Sequence, residues 1–117
     1  MKFTRGATRY VFLTKNYAIK IPYLGEWRLF LCGLLANMQE RQISKAGYYE
    51  GICPILFSFP GGFLVVMPKL VELTDTEYYE FDYEELVEKP EYRIPAENKS
   101  NSFGWLDAKP VAIDYGS

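Results

Sequence analysis

The order of structural punctuation constrains this chain most. Two pairs of β-rich runs, each closed by turn residues, flank one long apolar stretch with helical spacing. In the first pair, Tyr10-Val-Phe-Leu13 leads through Lys15-Asn16 into Tyr17-Ala-Ile-Lys-Ile-Pro22. This predicts a hairpin turning around Thr14–Asn16, with residues 2–6 as a preceding edge strand and Pro22 as the stop. From Glu26 to about Ile43, Trp27, Phe30, Leu31, Leu34, Leu35 and Met38 recur at helical intervals. Leu29, Cys32, Gly33 and Ala36 make further sides apolar, so the helix is expected to be largely buried. The small Gly33 and Ala36 would let it approach a sheet closely and turn Glu40 inward. The alternative is that Glu40 belongs to a solvated Gln-Glu-Arg-Gln cluster at the helix end. The second pair, Gly51 to Pro60 and Gly62 to Leu70, turns at Phe59-Pro60-Gly61-Gly62. Its runs Ile52–Phe57 and Phe63–Met67 are continuously apolar, as central strands are.

Residues 72–92 change character. They hold nine of the fifteen acids, interleaved with Tyr78, Tyr79, Phe81, Tyr83 and Tyr92. Thr74-Asp-Thr-Glu77 has the form of a capping box and Pro90 is a stop signal, which predicts a helix over about 75–88 with Tyr79, Tyr83 and Leu86 on one face. Residues 93–102 are polar and loop-like. Phe103-Gly-Trp-Leu106 then leads through Asp107-Ala108 into Lys109-Pro-Val-Ala-Ile113, a short final hairpin. The expected fold class is α+β: an antiparallel sheet of two hairpins with one long inserted helix, a short acidic helix and a C-terminal hairpin. Residues 1–117 form one domain, divided into 1–71, the acidic segment 72–92, and 93–117.

At 117 residues and 49% hydrophobic, the chain can bury one core. The ten Tyr and eight Phe are core and interface material before they are a cofactor site. No apolar run reaches the roughly 18 residues of a membrane span. Met1-Lys-Phe-Thr-Arg5 is not followed by the apolar stretch of a secretory signal. Cys32 and Cys53 lack metal spacing, and a chain without histidine is a poor zinc ligand. Two buried, reduced thiols in a cytoplasmic protein are expected. The net charge of −2 conceals an asymmetry. Residues 1–71 carry nine Lys or Arg against three Glu, and residues 72–117 carry twelve acids against four bases. Such a dipolar molecule can steer a charged partner.

The segment Lys109-Pro-Val-Ala-Ile-Asp-Tyr-Gly-Ser117 resembles the metal-binding strand and DFG turn of protein kinases. Tyr17-Ala18-Ile19-Lys20-Ile21 resembles their V-A-I-K strand, whose lysine reaches the α- and β-phosphates. Glu40 follows Lys20 by twenty residues, close to the family separation of lysine and helix-C glutamate. Phe63-Leu-Val-Val-Met67-Pro68-Lys-Leu70 looks like the fifth strand and hinge. Asn101 precedes Asp114 by thirteen residues, close to the spacing of catalytic-loop asparagine and DFG aspartate. Two hairpins around an inserted helix is also the order of a kinase small lobe. The resemblance implies that Lys20, oriented by Glu40, would hold phosphates of ATP, that Met67, Pro68 and Leu70 would line the adenine slot, and that Asn101 and Asp114 would hold Mg²⁺. For Asp114, a capped turn closing the core is the other reading.

The departures bear on activity. Ala96 stands where the catalytic base would be, five residues before Asn101. No H-R-D is available without histidine, and Glu97 is one residue out of register. The glycine-rich loop is absent, with only Gly6 in Thr4-Arg-Gly-Ala-Thr-Arg9. With the sequence stopping at the DFG-like turn, the expectation is a kinase-like module reduced to its nucleotide end. It would lack ordinary protein-kinase activity, require no cofactor and act by binding and modulating a partner protein, in the style of a phage protein engaging a host factor in the host cytoplasm. The expected partner surface is Tyr78, Tyr79, Glu80, Tyr83, Glu84 and Glu85, facing a basic or nucleic-acid-binding protein rather than nucleic acid or membrane. One alternative is a small metal- and nucleotide-dependent transferase using Asp114. Another is an acidic inhibitor mimicking nucleic acid through residues 72–92. Apolar surface left uncovered would need residues 72–100, a partner or a homodimer to cover it.

Overall fold

The computed structural model describes residues 2–5, 8–47 and 49–116. Gly6, where the resemblance would put the glycine-rich loop, lies outside the described residues.

The chain is mixed α+β. Strands β1 (Lys2–Arg5), β2 (Arg9–Leu13) and β3 (Tyr17–Pro22) form an antiparallel meander. The helix α1 (Trp27–Ala46) follows, then β4 (Phe57–Phe59) and β5 (Leu64–Pro68). These strands make one five-stranded sheet in the order β1-β2-β3-β5-β4. A second sheet joins β6 (Val71–Glu72), β7 (Phe103–Leu106) and β8 (Lys109–Ala112). Two short helices, α2 (Asp75–Glu80) and α3 (Tyr83–Val87), lie between β6 and β7. Hairpin β7–β8 turns on Asp107 and Ala108, both at positive φ, 51° and 66°. Two consecutive left-handed residues suit the twist of a two-residue hairpin.

The helix α1 runs three residues further than expected and ends where Gly47 enters the left-handed region, φ 81°. It is not largely buried. Its inner side is Gly33, Ala36, Asn37, Glu40 and Ile43, whereas Leu31, Leu35 and Met38 face solvent. A single helix on a sheet has one covered side, and here the covered side is the small and polar one. A Cβ built on Gly33 would collide with the Thr8 carbonyl and lie 2.9 Å from Pro22 Cα, so glycine sets how closely the helix approaches the sheet.

Three other expectations change. Ile52–Phe57 is not a central strand. Only residues 57–59 pair with β5, at the sheet edge, while Ile52 bridges to Ala112 in the second sheet. The Cys53 N–H donates to the Ala112 carbonyl at 2.8 Å. Pro54, lacking an N–H, interrupts any continuous ladder. The acidic helix divides at Phe81-Asp82. Phe81 turns its ring onto Phe103 at 5.1 Å, and Asp82 restarts the helix by accepting from the Glu85 N–H at 3.1 Å. Tyr79, Tyr83 and Leu86 therefore do not share one helical face. Cys32 is exposed and only Cys53 is buried.

The core gathers Cys53, Val65, Met67, Val87, Ile94 and Phe103 with Tyr115. Segment 72–100 lends Leu73, Val87, Ile94 and Ala96 to a core shared with Val65 and Met67 of the first sheet and Phe103 of the second.

Gly33→Ala tests the helix docking. In an exposed helix this exchange stabilises by about 1 kcal/mol. Here it should destabilise, because the colliding atoms are backbone. Urea unfolding is expected to show a lower midpoint at unchanged slope, and a raised midpoint would show that α1 docks more loosely.

Candidate functional site

Between α1 and the five-stranded sheet lies a cluster of charge. Glu40, fully buried, receives five donors. Arg9 binds it end-on through both terminal nitrogens, Nη1 to Oε1 at 2.8 Å and Nη2 to Oε2 at 3.1 Å. Lys20 Nζ reaches Oε1 at 3.2 Å and Oε2 at 3.1 Å. The Tyr115 backbone N–H donates to Oε2 at 3.1 Å. Arg9 Nη2 also donates to Asp114 Oδ1 at 2.7 Å, and Nη1 to Asn37 Oδ1 at 2.9 Å. Lys20 spends a further donor on the Ile113 carbonyl at 2.7 Å. Asn37, fully buried, donates in turn to the carbonyls of Lys20 and Gly62 at 3.2 and 2.9 Å.

Local sequence explains the placement. Residues 9, 11, 18, 20 and 22 share one side of the sheet, since Arg9 pairs with Pro22 and Val11 with Lys20. Asn37 and Glu40 are three apart on α1 and so share its inner face. Lys20 and Glu40 meet, and Asp114 joins them through Arg9 instead of through the lysine.

Burial alone would raise the Glu40 carboxyl. The cations of Lys20 and Arg9 and their hydrogen bonds outweigh it and hold the group below its ordinary value. Burial alone would lower Arg9, and the charges and hydrogen bonds of Glu40 and Asp114 carry it above its ordinary value instead. Burial pushes the Tyr115 phenol up, and its hydroxyl donates to the Cys53 carbonyl at 2.7 Å. Burial likewise pushes the Cys53 thiol up, to about 11.

The remaining sequence-derived site residues are dispersed. Met67 is fully buried in the core, Pro68 ends β5, and Leu70 packs against Gly104. Asn101 is exposed in the 3₁₀ turn Ser100–Ser102, beside the chain of Asp114 because the Ile113 N–H donates to the Ser102 carbonyl at 2.9 Å. Ala96 is buried, and its carbonyl accepts from the Tyr83 hydroxyl. Glu97 pairs with Lys99 at 3.0 Å on the surface. In the acidic segment, Glu80, Glu84 and Glu85 are exposed and Tyr79 is 91% exposed. Tyr78 and Tyr83 instead pack on Phe103, their ring centroids 5.9 and 5.8 Å away. The Tyr78 hydroxyl meets the Asn98 side chain.

The Lys20 donors point at Glu40 and Ile113, and the Arg9 guanidinium donates to one oxygen of the Asp114 carboxylate that the resemblance assigns to Mg²⁺. Among the described residues no group of three or more Cys, Asp or Glu converges as a metal site. Two surface hollows, about 290 Å³ beside Glu50, Lys89, Glu91 and Tyr92 and about 240 Å³ at Leu24–Trp27 and Phe30, are lined by none of the charged cluster. Among the described residues, no helix is long and apolar enough to cross a membrane.

No protein-family model, curated protein or solved structure matches the chain.

Sequence reasoning passed over Arg9, Asn37 and the Tyr115 amide. The signal for Arg9 was its strand parity, which matches that of Lys20 once the turn at Thr14–Asn16 is placed.

Glu40→Gln should cost about 3–5 kcal/mol at neutral pH, because it leaves two buried cations without their carboxylate. Since folding lowers the Glu40 pKa, its ionised contribution is present above the unfolded value of about 4.3 and is lost as pH falls through the folded value. Urea titrations from pH 7 to pH 2.5 should show the gap between wild type and variant narrowing below about pH 4. A gap that stays constant would remove the ion cluster as its cause. A thiol reagent at pH 8 should modify Cys32 and spare Cys53 until urea unfolds the chain. Equal rates for both thiols in the native protein would contradict the burial of Cys53.

Proposed function

We propose that this protein is a non-catalytic, kinase small-lobe-like binding protein, whose lysine–glutamate pair holds its own frame together and which acts by engaging a partner protein. The observation that carries this reading is the Arg9 guanidinium lying between Glu40 and Asp114, at 2.8 and 2.7 Å. In phosphoryl transfer the corresponding aspartate holds a metal ion and the lysine holds phosphate oxygens. Here a side chain of the protein itself neutralises the aspartate, and the lysine is engaged by Glu40 and Ile113. Ala96 has no side-chain base, and its carbonyl is already bonded to Tyr83. General-base assistance is worth about 10²–10⁴-fold, so any residual transfer would be slow. Two unpaired thiols are consistent with a reducing compartment such as the cytoplasm.

The exposed acids of residues 72–91 support a partner surface directed at a basic or nucleic-acid-binding protein. Tyr79 is its outward aromatic contact, while Tyr78 and Tyr83 contribute to the fold. Reversing Glu80, Glu84 and Glu85 to Lys should change stability by no more than about 0.5 kcal/mol per substitution, as exposed substitutions do, and leave the chain folded. That variant separates charge-driven binding from folding.

The test of the main reading is nucleotide itself. Magnesium and ATP at millimolar concentration should not raise the thermal midpoint, and labelled phosphate should not appear on the protein or on added peptide. A saturable, magnesium-dependent rise, or phosphate incorporation abolished by Asp114→Asn, would overturn it.

A further inference from the structure

The five-stranded sheet has two faces of unlike fate. The inner face carries Lys20, Val65 and Met67, all buried beneath α1 or in the core. Register places the alternate residues on the outer face. One row crosses all five strands there: Phe3 opposite Phe12, Phe12 opposite Ile19, Ile19 opposite Val66, and Val66 opposite Phe57. A second row pairs Tyr10 with Ile21 and Leu64 with Phe59. The rings of Phe3 and Phe12 touch at 5.0 Å, and those of Phe57 and Phe59 at 5.3 Å.

A sheet with one solvated face ordinarily alternates apolar inward with polar outward. This outer face is apolar instead, and none of its described side chains is charged. Arg5, in register with Tyr10, is the last residue of the edge strand β1. Phe3, Phe57 and Phe59 are each about half exposed, at 50%, 51% and 53%. Phe12, Ile19, Ile21, Leu64 and Val66 are partly exposed and stand apart from the core cluster. The other apolar elements are committed elsewhere: α1 lies on the inner face, and α2 and α3 flank the second sheet.

We infer that the outer face of the five-stranded sheet is a self-association surface, covered by the same face of a second copy of this chain in a sheet-on-sheet homodimer. Charge selects this occupant. A twofold contact between the described side chains of this face opposes no like charges. The competing apolar stripe on α1, with Trp27, Leu31 and Leu35, is accompanied by exposed Arg28, Arg41 and Lys45, and self-pairing there would oppose cations. Size permits it. Five strands about 4.8 Å apart and about five residues long give a footprint of roughly 350 Å², within the range of the largest functional patches on monomers. Stable partners each bury about 800 Å² of accessible surface, so the contact is at the small end and a micromolar dissociation constant is expected. Two such faces would pack with their sheets about 10 Å apart. The inference goes beyond the partner-binding function proposed above and does not depend on how Arg9 is engaged.

Sedimentation equilibrium of the full chain from about 1 to 100 µM tests it, a span that brackets a micromolar constant. A reversible monomer–dimer equilibrium is expected. Ile19→Thr combined with Val66→Thr, which keeps β-branched side chains, should weaken the dimer by about 100-fold or more. Leu35→Gln on the α1 stripe should leave it unchanged. Should the double variant fail to fold, Ile19→Cys in a Cys32→Ser background decides, because Ile19 lies in the central strand. A short bismaleimide should join two such chains and should not join Leu35→Cys chains in the same background. A monomer at every concentration would overturn the inference, and if that monomer binds phosphatidylcholine vesicles the face belongs to a lipid surface. A dimer that survives the double variant, or dissolves with Leu35→Gln, would overturn it too. None of these readouts involves nucleotide, so failure here leaves the Arg9 reading standing.

Discussion

The Glu40 carboxylate is the point on which the molecule turns. It is fully buried and takes two donors from Arg9, two from Lys20 and one from the Tyr115 backbone. Those donors come from β2, β3 and the segment after β8, while the acceptor comes from α1. One group therefore ties helix, sheet and the end of the described chain. An ionised carboxylate in an apolar interior is costly unless it is paired and hydrogen-bonded. Two cations and two carboxylates, Glu40 and Asp114, bring the formal charge of the cluster to zero. Asn37 closes it by accepting from Arg9 and donating to two backbone carbonyls.

This arrangement reverses the usual distribution of polarity. Three charges of the first half of the chain, Arg9, Lys20 and Glu40, lie inside, beneath the helix. Aromatic and branched side chains lie on the outward sides of both the helix and the five-stranded sheet. A clamp of that kind holds the elements in register without a large apolar interface between α1 and the sheet. Gly33 and Ala36 suit it, since small side chains let Glu40 come within reach of Arg9 and Lys20. The outer surfaces are then free to be apolar for contact with other molecules. The Arg9 and Lys20 donors are thereby engaged by Glu40, Asp114 and the Ile113 carbonyl.

The Lys20–Glu40 pair was legible through the resemblance of Lys20 and Glu40, twenty residues apart, to the kinase lysine and helix-C glutamate. The small Gly33 and Ala36 added that Glu40 could turn inward. Arg9 was not legible by the same means. Its partners are 31 and 105 residues away, and it reaches them only through the register of β2 on β3. The tyrosines show the opposite failure. An acidic, tyrosine-rich segment reads as one amphipathic surface, yet Asp82 caps a new helix and Phe81 turns inward, so Tyr78 and Tyr83 become packing for Phe103.

The sequence by itself determined the α+β class, the placing of α1 between two hairpins, the final hairpin and the capping box, whose Thr74 and Glu77 bonds form at 3.1 and 2.8 Å. These depend on periodicity, turn chemistry and side-chain-to-backbone bonds within a few residues. Only the tertiary structure decided which side of α1 is covered, that Ile52 and Cys53 bond to the second sheet, and that Arg9 joins Glu40 to Asp114. Each of these depends on which distant segment supplies the partner. A run such as Ile52–Phe57 or Trp27–Met38 records that its side chains are apolar, but the burial of each side is set by what the rest of the fold, or another molecule, places against it.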